Sequence, residues 1–139
     1  MMNKEEREAK IVHTLVVVLG ILLTMFIFSL TANSQSKCEV DSVIRSYNIK
    51  HPEVVLKQSI LETGWYKSYS CRERHNLFGF RWKGKYLEFD SWEDSVAYYA
   101  RWQARHFDDN CCDDYYEFLV RRGYAEDKEY VKKLKSIKV

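Results

Sequence analysis

A twenty-residue stretch without a formal charge, Ile11 to Leu30, constrains this chain more than any other feature of its sequence. It reads IVHTLVVVLGILLTMFIFSL, and its one titratable side chain, His13, is neutral above about pH 6.5. A helix of this length rises about 30 Å, which is the thickness of a bilayer core. The stretch has no polar face of the kind that a helix on the surface of a globular domain would show. The sequence therefore predicts a membrane-spanning segment at residues 11–30.

The charges on either side of this segment indicate its orientation. Residues 1–10 carry three basic residues, whereas only Lys37 follows the segment closely. Because Lys-rich and Arg-rich flanks stay in the cytoplasm, residues 1–10 are expected inside the cell and residues 38–139 in the periplasm or outside the cell. Small residues near position 32 resemble a cleavage site, but the apolar run is longer than that of ordinary signal peptides. An uncleaved anchor is favoured; cleavage would instead secrete the domain.

The composition of the remaining chain limits what it can bind. Residues 31–37 are a short polar linker, and residues 38–139 form one domain with 18 basic and 17 acidic residues. Such a nearly neutral domain has no broad field to attract phosphates, and it contains no nucleic-acid-binding motif, so nucleic-acid binding is not expected. It holds 19 of the 21 aromatic residues, a density that suits an aromatic core or a groove for sugar rings. A monomer is expected.

The exported domain contains four cysteines, an even number that predicts disulfides: Cys38, Cys71, Cys111 and Cys112. A bridge between the two vicinal cysteines would be strained, so each is expected to pair with a distant one. We predict a bridge from Cys71 to Cys111 or Cys112. A metal site that uses His106 with the vicinal pair lacks a fourth ligand at a recognised spacing. Neither a metal nor another cofactor is therefore expected.

The apolar periodicity of the domain predicts five helices and one β-hairpin. The helices are expected near residues 41–47, 52–63, 91–107, 115–122 and 128–138, and the hairpin between residues 77 and 89. Apolar side chains cover nearly the whole circumference of the second helix, which predicts that it is buried. Pro52 suits its first turn, and Gly64 suits a left-handed cap at its end. The predicted fold is mainly α, with about five helices around a buried central helix and a small β-hairpin lobe.

Glu62 is the most informative carboxylate because it lies in the last turn of this apolar helix. The negative end of the helix dipole and partial burial both disfavour its charged form, so its pKa is expected to be raised. A carboxyl group with a raised pKa can act as a general acid. In glycoside hydrolysis such a group donates its proton to the leaving oxygen while positive charge builds on the sugar ring.

Four motifs occur in one order along the domain: QSILETGW at residues 58–65, NLFGF at residues 76–80, GYA at residues 123–125, and a Tyr-x-x-x-Leu helix at residues 130–134. Together they resemble the N-acetylglucosaminidase domain of bacterial autolysins and flagellar peptidoglycan hydrolases, within the lysozyme-like superfamily. The resemblance covers about residues 40–137. It implies an α+β lysozyme-like fold and hydrolysis of the β-1,4 bond on the reducing side of N-acetylglucosamine in peptidoglycan.

The resemblance also implies roles for individual residues. Glu62 takes the position of the general acid, and Tyr124 that of the catalytic tyrosine in the same cleft. The residues implied in substrate binding, or in placing the β-lobe against the catalytic helix, are Asn76, Phe78 and Gly79. Trp65, which is next to the Glu-Thr-Gly turn, is expected either to stack on a sugar face or to cover the end of the helix.

A second carboxylate is harder to place. The candidates are Glu88 and Asp90, on one face of the second strand of the predicted hairpin, with Glu93 less favoured. None of them belongs to a sharp motif. The N-acetyl group of the substrate can stabilise the cationic centre where a second carboxylate is absent, so inversion and retention both stay open.

The sequence leaves three alternative functions open. A lytic transglycosylase would also use a lone Glu, but it would cleave beside N-acetylmuramic acid and leave an anhydro sugar. A non-catalytic glycan-binding module would keep the groove without the chemistry. A cysteine peptidase would need Cys71 as a free, reactive thiol beside His75 or His106.

Overall fold

The computed structural model describes residues 4–31, 35–108, 114–124 and 129–139, and the chain divides after residue 34 into two compact units. The first unit contains helix α1 (Lys4–Thr31). In the described part of the chain, no helix combines the length and the apolarity needed to cross a bilayer. A helix is thus present at the N-terminus, but the predicted membrane span at residues 11–30 is not supported.

The second unit is mainly helical with one small hairpin, as predicted. Its elements are α2 (Lys37–Ser46), α3 (Pro52–Thr63), α4 (Tyr69–Arg74), β1 (Arg81–Trp82), β2 (Lys85–Tyr86), α5 (Trp92–His106), α6 (Tyr115–Arg121) and α7 (Tyr130–Ser136). Five of these helices correspond to the five predicted ones. The short helix α4 was not predicted, because its six residues, YSCRER, show no apolar periodicity.

Helix α3 lies at the centre of the second unit and packs against α2 and α7. Its buried residues include Val55, Leu56 and Ile60, in agreement with the predicted burial of this helix. Gly64 ends the helix at φ +55°, and its N–H donates to the carbonyl groups of Ile60 and Leu61. Only glycine adopts this left-handed conformation without strain. The helix therefore stops directly after Glu62 and Thr63.

The hairpin is shorter than predicted. Strands β1 and β2 are antiparallel, pair Arg81 with Tyr86, and contain two residues each. Phe78 is buried, whereas Trp82, which a continuous strand would place on the same face four residues later, is 68% exposed. Alternation of faces requires a continuous extended backbone, and Gly79 at φ +66° interrupts it between these two residues. The side chains of residues 77–82 therefore do not alternate between a buried and an exposed face as they would in a continuous strand.

The cysteines do not support the predicted disulfide. Cys38 and Cys71 are free thiols, and the predicted partners Cys111 and Cys112 lie outside the described residues. Cys71 is fully buried, and its thiol donates a weak hydrogen bond to the side-chain oxygen of Gln35 at 3.7 Å. Burial raises the pKa of Cys71 to about 11. A thiol with such a pKa is a poor nucleophile, which argues against the cysteine peptidase alternative.

Candidate active site

A cleft of about 460 Å³ opens where the end of α3 meets the hairpin, α5 and the segment after α6. It combines one carboxyl group, two guanidinium groups and several aromatic rings. The residues that line it are Glu62, Phe78, Gly79, Phe80, Arg81, Tyr86, Trp102, Arg122, Gly123 and Tyr124. This mixture of flat rings and charged groups is typical of a site that binds a sugar polymer.

Glu62 is partly buried and lines this cleft. Burial raises the pKa of its carboxyl group above the ordinary value. A hydrogen bond from the hydroxyl group of Tyr130 and the positive charge of Arg81 offset part of that rise in pKa. The carboxyl group therefore holds its proton to a higher pH than a solvated glutamate and can donate that proton to a bound ligand.

Gly79 makes close contact with the Glu62 carboxyl group possible. A Cβ atom at position 79 would lie 3.0 Å from Oε2 of Glu62, and the backbone of Gly79 has φ +66°. Both the space and the conformation thus favour glycine at this position. The backbone of the NLFGF segment forms one wall around the carboxyl group.

Asn76 holds this segment in place but does not reach the cleft. Its side chain is 1% exposed, and it is fully hydrogen-bonded to backbone groups. Its Nδ2 donates to the carbonyl groups of Phe80 and Leu87, both at 2.9 Å, and its Oδ1 accepts from the N–H of Phe80 at 3.1 Å. Asn76 therefore closes the loop that carries Gly79, and it is not among the residues that line the cleft.

Tyr124 and Phe78 form a second wall. The hydroxyl group of Tyr124 donates to the carbonyl oxygen of Phe78 at 2.8 Å, and burial raises the pKa of Tyr124 well above its ordinary value. The Tyr124 ring lies edge-on to Trp102, with centroids 5.4 Å apart. Phe78 is 1% exposed and belongs mainly to the core. In this arrangement the hydroxyl proton of Tyr124 is used in the hydrogen bond to the carbonyl oxygen of Phe78.

Three other residues that the sequence singled out do not line the cleft. Trp65 is 56% exposed on a left-handed backbone with φ +60°. Glu88 pairs with Arg74 at 3.4 Å, and Asp90 is exposed at the bend before α5. Among the described residues that line the cleft, Glu62 is therefore the only one with a carboxyl group.

The sequence did not reveal four residues of this site: Arg81, Trp102, Arg122 and Tyr130. Tyr130 begins the Tyr-x-x-x-Leu motif, to which the sequence assigned no role in the site; it is buried in the core and interacts with Glu62. The two arginines lie 41 positions apart in the chain and share the cleft only because α6 returns to the hairpin. In the described ranges, no group of three or more His, Cys, Asp or Glu side chains is arranged to hold a metal ion.

Comparison with known proteins identifies the relatives of this domain. A family model described as glucosaminidase, mannosyl-glycoprotein endo-beta-N-acetylglucosaminidase, matches residues 39–138. The chain is also similar to the catalytic domain of the autolysin Auto from Listeria monocytogenes, with 18% sequence identity and a TM-score of 0.52 over 83% of this chain and 91% of that chain. At this identity the likeness shows a shared fold, consistent with the predicted lysozyme-like class. No curated protein matches the chain.

Gly79→Ala should lower kcat at least about tenfold, because a displacement of reacting groups by even a fraction of an ångström is costly. The added Cβ would lie 3.0 Å from Glu62 Oε2 and would push the carboxyl group out of place. Gly84→Ala is the matched control, since Gly84 also has a positive φ, +80°, but no atom within 4 Å of the new Cβ. Equal loss of kcat in the two variants would contradict the role of the close contact.

Glu62→Gln should stabilise the protein more at about pH 8 than at about pH 4. Because the folded-state pKa of Glu62 is raised, the native protein keeps a proton that the unfolded chain has already lost, and stability falls as pH rises through that pKa. A neutral glutamine avoids this loss. Thermal unfolding of both proteins at the two pH values checks the prediction, and a pH-independent difference in Tm would contradict it.

Proposed function

The chain belongs to the glucosaminidase family and is a glycoside hydrolase, and we propose that it cleaves peptidoglycan on the reducing side of N-acetylglucosamine with Glu62 as the general acid. The observation that carries this proposal is the position of Glu62: a carboxyl group with a raised pKa, in a cleft walled by aromatic rings. A protonated carboxyl group is what departure of the sugar oxygen requires.

The proposed reaction follows from this placement. Glu62 donates its proton to the glycosidic oxygen, and the bond between C1 and that oxygen breaks. A water molecule adds its hydroxyl group to C1 and releases its other proton to solvent, from which Glu62 is protonated again. The aromatic rings of Trp102 and Tyr86 are suited to contact the apolar faces of the sugar. Burial raises the pKa of Glu62, which favours the protonated form that donates to the leaving oxygen.

Two arginines favour peptidoglycan over a neutral glycan as the substrate. Arg81 and Arg122 both line the cleft, and guanidinium groups bind carboxylates in a bidentate way. The peptide stems of peptidoglycan carry carboxylates, whereas the chitobiose core of a mannosyl glycoprotein is neutral. A location outside the cytoplasm belongs to the same proposal, because peptidoglycan lies there.

Product analysis tests this proposal. The full chain should release fragments from purified peptidoglycan that end in reducing N-acetylglucosamine. Anhydro-N-acetylmuramic acid would instead indicate a lytic transglycosylase, and binding without products would indicate a glycan-binding module.

Glu62→Gln should reduce the rate of product release at least about 100-fold, because the amide keeps the shape of the acid but has no acidic proton. Glu88→Gln provides a matched control with the same chemical change outside the cleft, and it should keep the wild-type rate. Digestion of labelled peptidoglycan measures both rates. If Glu62→Gln retained more than about a tenth of the wild-type rate, Glu62 would not be the general acid.

Arg122→Gln should lower kcat/KM for peptidoglycan up to about fivefold, as expected for an exposed charge interaction, and less at high salt. Cleavage of a neutral chitooligosaccharide should not change. Arg121→Gln is the control, because this neighbouring arginine does not line the cleft. An equal effect of Arg122→Gln on both substrates would rule out carboxylate recognition by this residue.

A further inference from the structure

A continuous chain of buried polar side chains connects four helices to Glu62. It consists of Gln103 on α5, Tyr115 on α6, Tyr99 on α5, Gln58 on α3 and Tyr130 on α7, and we refer to these five residues as the buried relay. Each of them is less than a tenth exposed. Polar groups are costly to bury, so a chain of this length needs every member to be hydrogen-bonded.

The backbone of Lys50 fixes the orientation of the first member. The N–H of Lys50 donates to Oε1 of Gln103 at 2.7 Å, and Nε2 of Gln103 donates to the carbonyl oxygen of Lys50 at 2.9 Å. A backbone N–H is always a donor and a carbonyl is always an acceptor, so the Gln103 amide has only one satisfactory orientation. Its Nε2 also donates to the hydroxyl oxygen of Tyr115 at 2.8 Å.

This anchor determines the direction of the next two hydrogen bonds. Because the oxygen of Tyr115 already accepts from Gln103, its proton is directed to the oxygen of Tyr99, 2.7 Å away. The hydroxyl group of Tyr99 then donates to Oε1 of Gln58 at 2.6 Å. Since Oε1 of Gln58 accepts this bond, Nε2 must face the opposite way.

The last steps of the relay lead to Tyr130, next to Glu62. Nε2 of Gln58 donates to the hydroxyl oxygen of Tyr130 at 3.2 Å. Because the oxygen of Tyr130 accepts from Gln58, the hydroxyl proton of Tyr130 is left for the nearby carboxyl group of Glu62, with which it interacts. Every hydrogen bond from Lys50 to Tyr130 therefore points in the same direction, towards the end of the chain that lies next to Glu62.

We propose that the buried relay makes Tyr130 a one-way hydrogen-bond donor to Glu62, so that the acidic proton of Glu62 stays on the carboxyl oxygen available to the substrate. This inference rests on the proposed role of Glu62 as the general acid. A tyrosine that could rotate freely would also accept a hydrogen bond from protonated Glu62 and hold the proton away from the substrate. The relay residues other than Tyr130 act as positioning residues, since they act on Glu62 through Tyr130.

Other groups around Glu62 also influence its titration. Arg81 and Tyr86 face the cleft from the hairpin, Arg122 and Tyr124 face it from the segment after α6, and Tyr130 on α7 interacts with Glu62 from within the core. Tyr99 is not among the residues that line the cleft. A change at Tyr99 therefore tests the relay while it leaves these charged and titratable groups in place.

Tyr99→Phe removes one oxygen atom from the middle of the relay. Without the donor at Tyr99, the amide of Gln58 can turn its Oε1 towards Tyr130, and the hydroxyl group of Tyr130 then donates to Gln58 in place of Glu62. We expect kcat for peptidoglycan to fall about tenfold, with KM unchanged. This loss is smaller than the rate enhancement of about 10²–10⁴-fold that a general acid contributes, because Glu62 itself is still present. We also expect the alkaline limb of the pH profile of kcat to move up by about half to one pH unit, because the carboxylate has lost a donor.

Tyr66→Phe is the matched control, because it removes the same atom from another hydrogen-bonded tyrosine. The hydroxyl group of Tyr66 pairs with that of Ser59 at 3.1 Å, outside the relay. This variant should lower stability while it leaves kcat and the alkaline limb unchanged. If Tyr99→Phe behaved like Tyr66→Phe, the relay would have a structural role only and the proposal would be wrong. Should Tyr99→Phe fail to fold, Gln58→Met interrupts the relay at its next member and should give the same two effects.

A readout without turnover separates this proposal from the proposed function. The ¹³C resonance of the Glu62 side-chain carboxyl group, assigned by its loss in Glu62→Gln, reports the titration of Glu62 directly. A higher apparent pKa in Tyr99→Phe than in the wild type would support the relay even if peptidoglycan proved not to be the substrate. An unchanged titration would overturn the relay even if wild-type hydrolysis were confirmed.

Discussion

The arrangement of the second unit depends on the burial of one carboxyl group at the end of its central helix. Half of the residues of helix α3 are buried, and its last turn brings Glu62 to the edge of the core, where water is only partly excluded. Gly64 then ends the helix, and the chain turns away before it can cover the carboxyl group. The result is a carboxyl group whose pKa is raised by burial and which still faces a cleft.

The surrounding elements hold the Glu62 carboxyl group in this partly buried position from two sides. On one side, Asn76 ties the NLFGF segment to the hairpin, which keeps the backbone of Gly79 against Glu62. On the other side, Tyr130 brings a hydroxyl group from α7 to the same carboxyl group. The fold therefore uses local backbone geometry on one face of Glu62 and long-range side-chain contacts on the other.

The local part of this arrangement could be predicted from the sequence, and the long-range part could not. The apolar pattern and Gly64 predicted the course of α3 and the position of Glu62 at its end, because both depend on residues close in the chain. The convergence of Arg81, Arg122 and Tyr130 depends on how separate elements pack, which the periodicity of a sequence does not report.

Two residues that the sequence suggested do not line the cleft. Glu88 was suggested because strand alternation placed it on one face of a longer hairpin, whereas the strands have only two residues each. Trp65 points to solvent because its backbone is left-handed, a conformation that a tryptophan side chain does not signal.

A crystal structure of the Glu62→Gln variant with a bound peptidoglycan fragment tests the central claim most directly. The account predicts that a glycosidic oxygen on the reducing side of N-acetylglucosamine lies within about 2.6–3.2 Å of the side chain at position 62, the range for proton transfer. It also predicts that a carboxylate of the fragment faces Arg81 or Arg122. A fragment bound in the cleft with every glycosidic oxygen beyond the reach of position 62 would contradict the account.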